Sequence, residues 1–221
     1  MKGIIVGLTL MLLVASAWAG TFRDNFTNEK DFLEDMANGV WLGGGSYTWE
    51  NGALRSRLPG DLSNLLITGD VDWEDYAVEC RAKITRLPGV VGLVLRAPGP
   101  VGKCYIFGLE ESAAFLWADY IPVAEEPFER KRNTWYTLKA VAEGNRLKFY
   151  VDGRLMIQKE DNTHPKGCVA IILMPYGKPT EALFDDFMMT GSQVPNGGHP
   201  AFAVEPQNKL ATTWATVKKR R

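Results

Sequence analysis

Residues 76–84 alternate strictly along the chain. Tyr76, Val78, Cys80, Ala82 and Ile84 fall on one face, and Glu79, Arg81 and Lys83 on the other. A period of two with one apolar face predicts a half-buried antiparallel strand. Residues 146–151 repeat the pattern, with Leu147, Phe149 and Val151 opposite Arg146, Lys148 and Tyr150. Asp152-Gly153 then reads as a hairpin turn into 154–159. A further strand over 135–143 ends at Gly144-Asn145. Together these strands predict one sheet with a wet outer face.

A second set is apolar on both faces. It comprises residues 89–96, 103–110, 112–120 and 167–174. Such strands are buried on both sides or line a groove. Turn signals recur about every 8–12 residues, which argues for a sandwich or barrel and against βαβ units. Leu33 to Ala37 reads as one short helical turn. The expected fold is an all-β, two-sheet antiparallel sandwich.

The N-terminus is set apart from this pattern. Lys2 precedes an apolar stretch from Ile4 to Val14, followed by Ala17-Trp18-Ala19 with the small-x-small spacing of a cleavage site. This predicts a signal peptide over 1–19. The stretch is shorter than the roughly 20 residues of a spanning helix, and no other segment is a candidate for an integral membrane span. The sandwich is expected over 20–191, in the periplasm, at the cell surface or secreted. Residues 192–221 read as a linker and basic tail, disordered or a short helix. The tail gathers Lys209, Lys218, Lys219, Arg220 and Arg221 against Glu205 alone, so an envelope partner is its expected contact. The rest of the chain is mildly acidic, which excludes a nucleic-acid binder of the usual basic kind. Three cysteines, Cys80, Cys104 and Cys168, leave at least one thiol unpaired. The apolar face of 76–84 makes Cys80 a buried core thiol.

Several segments recur in a recognisable order. They are Arg23-Asp24-Asn25-Phe26, Trp49-Glu50-Asn51-Gly52-Ala53-Leu54, Leu65 to Asp70, Trp73-Glu74-Asp75-Tyr76, Gly92 to Arg96, Trp135 to Leu138, Leu147 to Gly153 and Phe184-Asp185-Asp186-Phe187. This order, over residues 22–190, resembles the concanavalin A-like lectin/glucanase superfamily, in its laminin-G-like branch that includes 3-keto-disaccharide hydrolase-like domains. The resemblance implies a jelly-roll sandwich. It does not choose between lectins, glycosidases and adhesive modules, because function resides in sites and not in folds.

Retaining glycosidases need two carboxylates about 5–5.5 Å apart. The alternating set Asp70, Asp72 and Glu74 lies in a Gly-Asp-rich stretch that reads as a solvated turn, and Glu110-Glu111 point to opposite faces. Neither His164 nor His199 has a nucleophile near it in sequence. A binding site is therefore the leading expectation. Arg96 lies opposite Val91, Leu93 and Leu95, which places it on the groove face, with Tyr105, Phe107 and Trp117 as aromatic partners on neighbouring strands. The superfamily resemblance also implies a possible structural calcium held by Asp24 with Asp185 or Asp186; no other cofactor is expected. The expected role is a secreted carbohydrate-binding or adhesive module without catalysis, its partner a glycan or polysaccharide. The alternatives are a 3-keto-disaccharide-type hydrolase and a scaffold domain with no small ligand.

Overall fold

The computed structural model describes residues 20–43, 46–60, 62–99 and 102–199. The expected signal peptide and residues 200–221 of the expected tail lie outside the described residues. In chain order the elements are β1 (Gly20–Asp24), α1 (Glu29–Ala37), β2 (Leu42–Gly43), β3 (Ser46–Glu50), β4 (Ala53–Leu58), β5 (Asn64–Thr68), β6 (Tyr76–Arg86), β7 (Gly89–Ala97) and β8 (Tyr105–Leu109). They continue with β9 (Ala113–Ala118), β10 (Ile121–Pro127), β11 (Tyr136–Glu143), β12 (Arg146–Val151), β13 (Arg154–Glu160), β14 (Cys168–Pro175), β15 (Thr180–Gly191) and β16 (Gly197–His199).

The strands form two sheets, as the two classes of alternation predict. The first has the order β13-β12-β11-β6-β15-β1-β16, with β4 also on β15 and β3 on β4. The second has the order β10-β9-β8-β7-β14-β5-β2. Pairing is antiparallel apart from β1 with β16. The inner faces meet in one core. Val78, Cys80, Ala82, Leu138, Ala140, Leu147 and Phe149 come from the first sheet, and Val91, Leu93, Leu95, Tyr105, Phe107 and Leu116 from the second. The strands expected to be apolar on both faces carry a second buried layer on the outer side of their sheet, including Val90, Val94, Ile106, Phe115, Ala170 and Ile172. All three cysteines are free and buried. Cys80 is 1% exposed, and burial pushes its thiol pKa far up.

The helix is longer than the single turn expected. Asn28 caps it, its side-chain oxygen accepting the Lys30 N–H, and Glu29 and Asp31 stand in the first turn where the helix dipole favours negative charge. Phe32 anchors it edge-on to Phe26 and Trp49.

The expected boundary at Gly191 falls short of the fold. Val194 is 4% exposed and belongs to the core. The Gln193 side chain accepts the Glu74 N–H and donates to the Asp72 carbonyl, and Asn196 accepts the Thr21 N–H. β16 then lies parallel to β1. The Pro/Gly-rich composition of 192–199 reflects a tight turn back onto the sheet, not a linker. Among the described residues no helix is long and apolar enough to cross a membrane.

Candidate functional site

The four residues expected to line a groove separate into three environments. Arg96 sits at an irregularity of β7, where the pairing with β14 slips between Cys168 and Ala170. Its φ of 56° is left-handed, so it acts as the extra residue of a bulge. Leu95 before it joins the inner core and Ala97 after it joins the outer layer. The alternation that placed Arg96 on the groove face is broken at that residue. Its side chain is 1% exposed and donates to the carbonyls of His164 at 3.0 Å, Glu74 at 3.1 Å and Gly144 at 2.7 Å. Asp75 stands 3.8 Å away.

Tyr105 and Phe107 also point inward. Phe107 packs against Phe149 across the core. Tyr105 turns its hydroxyl to the sandwich edge, where it donates to Asp161 and accepts the His164 N–H. Burial and the Asp161 carboxylate push its pKa up to about 12. Trp117 lies on the outer face of the second sheet, stacked on Phe115 at 4.2 Å and 25°. It is the one member of the four left partly exposed.

The three carboxylates expected around calcium do not converge. Asp24 shares the inner face with Phe22 and is 3% exposed. It accepts the Phe26 N–H and the Trp41 indole N–H. Asp185 and Asp186 sit at a bulge of β15, on the outer face, where Arg81 bridges both. Burial and the neighbouring Asp186 raise the Asp185 pKa. The sheet itself separates Asp24 from the other two, and among the described residues no group of three or more His, Cys, Asp or Glu is placed to hold a metal.

The structure instead brings chemistry together along one end of the second sheet. Register puts Ala118, Tyr105, Leu95, Ala97, Cys168 and Thr68 at the same end of their strands. The loops leaving them form a rim. At its β9 side, Asp119 lies 2.7 Å from His164 Nε2 and 3.6 Å from Lys103 Nζ. Three strand side chains clamp the backbone of the loop 161–167 carrying His164: Arg96, Tyr105 and Tyr76, whose hydroxyl donates to the Gly167 carbonyl and accepts the Arg96 N–H. Gly167 is required there, since a Cβ would lie 2.4 Å from the Arg96 carbonyl carbon.

At the β5 side of the rim is an open cleft of about 350 Å³, within the size range of ligand sites. Leu42, Thr68, Asp70, Val71, Pro98 and Cys168 line it. Leu42 and Val71 are exposed apolar lips. The stretch 69–75 is the turn expected from its composition: Asp70 accepts the Asp72 N–H, and Asp72 pairs with Lys166 at 2.5 Å. The Cys168 thiol in this cleft has its pKa raised by burial and by Asp70.

Comparison with known proteins accords with this architecture. The family model of the 3-keto-alpha-glucoside-1,2-lyase-like domain matches residues 16–181. A search of curated proteins found no match. Among solved structures, the carbohydrate-binding module CBM66 from Bacillus subtilis aligns with a TM-score of 0.60 and 20% identity, over 67% of this chain and 93% of the module. A Bacillus subtilis protein of unknown function with a galectin-like fold gives 0.61 and 13%, over 79% of this chain and 96% of that one. The metal-free carbohydrate recognition domain of Emp46p gives 0.58 and 14%, over 77% and 95%. Enzymes share the fold as well: the Crh5 transglycosylase, in complex with NAG, gives 0.60 and 10%, over 78% and 84%.

Proposed function

The chain belongs to the family of 3-keto-alpha-glucoside-1,2-lyase-like domains, and within that family we propose that it is a non-catalytic carbohydrate-binding module, working outside the cytoplasm, that seats a glycan in the rim cleft. The supporting observation is the cleft of about 350 Å³ beside Asp70 and Thr68, edged by the exposed side chains of Leu42 and Val71. Sugar rings present apolar C–H faces and polar hydroxyls at once, so a wall of this mixed kind suits them. The structural likeness to binding modules and a lectin domain supports the same reading at the level of fold. A polysaccharide of the cell envelope or surroundings is the expected partner.

The test is a glycan array on the chain beginning at Gly20, followed by calorimetry of any hit. Asp70→Asn keeps the turn acceptor and removes the charge; it should weaken binding about tenfold or more, roughly 1.4 kcal/mol, with no change in melting temperature. A wild-type chain that holds no glycan tighter than millimolar would overturn the reading.

One observation favours a second reading, elimination chemistry on a 3-keto glucoside. His164 paired to Asp119 has the arrangement of a general base with an orienting carboxylate. Under that reading His164→Ala abolishes turnover of a 3-keto glucoside. Under the binding reading the wild-type chain shows no turnover to lose.

A further inference from the structure

The β9–β10 hairpin closes through Asp119 and Tyr120, between paired Ala118 and Ile121. Both central residues have left-handed φ, 56° and 64°, which is the mark of a type I′ turn. That turn strongly prefers Asn-Gly, with glycine second. A bulky tyrosine in left-handed conformation is a strained outlier, and such outliers gather at ligand clamps. The strain is held in place by Asp119, which is fixed on one side by His164 and on the other by Lys103. Its N–H also donates to the Cys104 carbonyl. The result of this fixation is display: Tyr120 is 58% exposed and Ile121 67%.

We propose that Tyr120 is the stacking platform of a second glycan subsite on the rim, with the Asp119 carboxylate and Lys103 ammonium beside it as acceptor and donor for a pair of neighbouring sugar hydroxyls. The inference rests on the reading of the rim cleft as a sugar site. Strands β9, β8, β7, β14 and β5 are consecutive in the sheet. At about 4.8 Å per strand, the platform and the far wall of the cleft stand roughly 19 Å apart. A single sugar cannot touch both. The ligand class is therefore an extended oligosaccharide lying across the strand ends, and not a monosaccharide or a terminal disaccharide.

The experiment measures affinity by calorimetry for a length series of the glycan identified on the array, using wild type and Tyr120→Gly. Glycine relieves the left-handed strain, so the variant should melt at the same temperature as wild type or higher. It should bind the shortest ligand of the series as wild type does and lose about tenfold or more on the longest. Tyr120→Phe, which keeps the ring face, should retain the long-chain affinity. Equal affinities of wild type and Tyr120→Gly at every length would overturn the proposal while leaving the cleft reading intact. A wild type that binds no glycan would overturn both. A Tyr120→Gly chain that melts several degrees lower would show the ring to be a structural prop, and would also refute the argument.

Discussion

Replacing Arg96 tests whether a residue with the look of a ligand contact is in fact a clamp. Its guanidinium is buried and holds three backbone carbonyls from three separate loops, those of Glu74, Gly144 and His164. Arg96→Met keeps most of the stem packing and removes every donor. A hydrogen bond from a charged group contributes about 1.5–3 kcal/mol, but Glu74 and Gly144 are exposed residues whose carbonyls water can reach after the change. The expected loss is therefore well short of three full bonds, about 3–4 kcal/mol, in the range for breaking a buried polar network. Against a total of about 5–15 kcal/mol that is severe. For a domain of this size each kcal/mol moves the midpoint by about 2–4 °C, so the melt should fall by about 6–16 °C. Arg96→Lys, a single ammonium facing three diverging acceptors, should recover less than half of the loss. Urea melts with a shared slope provide the measurement. A loss below about 1 kcal/mol for Arg96→Met, with any glycan affinity abolished, would refute the clamp and return Arg96 to the ligand.

Two further outcomes follow from the same network and from the end of the fold. A chain ending at Gly191 loses buried Val194, the Gln193 and Asn196 bonds and β16; it should be less stable than a chain ending at His199 by about 2–4 kcal/mol, and coincident urea melts would disprove this. Burial alone would raise the Asp161 pKa, but the Tyr105 hydroxyl and the Thr163 N–H outweigh it and the net shift is downward. Asp161 therefore contributes stability that is complete above its unfolded pKa, about 3.9, and lost as pH falls through the lower folded value. The stability gap between wild type and Tyr105→Phe should be widest near neutrality and narrow below about pH 4; a gap independent of pH would sever the link to Asp161.

The sheets were legible because burial enforces period two over long runs. The alternate residues from Tyr76 to Ile84 and from Leu147 to Val151 lie inward as read, and Cys80 is the buried core thiol its face implied. Arg96 was misplaced because a bulge consumes one residue and reverses the alternation after it. The only local trace is a left-handed φ, which a sequence does not display at arginine. The His164–Asp119 pair was invisible for another reason. Its members are 45 residues apart, and they meet only because β9 and the loop before β14 end at the same edge. Signals did exist for part of the rim. Gly167 marks the end of the loop before β14, but Asp119 carried no turn signal: the strand expected over 112–120 ran straight through it into Tyr120. Residues 192–199 misled through composition: Pro195, Asn196 and Gly197 suit a tight return onto a sheet as well as they suit a linker, and Val194 was the apolar residue that distinguished the two.

The same physics explains why the rim is built from polar clamps. Residues 161–167 are mostly polar and turn-forming, with no large apolar side chain to bury. Such a loop gains almost nothing from the hydrophobic core and would otherwise sample many conformations. Arg96, Tyr105 and Tyr76 compensate from strand positions, each reaching the loop's backbone from a framework fixed by its own packing. A loop held this way is ordered before any ligand arrives, so binding does not carry the cost of ordering it. The clamp also works in the other direction. Because the Arg96 guanidinium is spent on backbone carbonyls, and the Tyr105 hydroxyl on the Asp161 carboxylate and the His164 N–H, neither is free to contact a ligand. Under the proposed carbohydrate-binding reading, recognition would fall to Asp119, Lys103 and Tyr120 at one side of the rim, and to Asp70 with its apolar neighbours at the other.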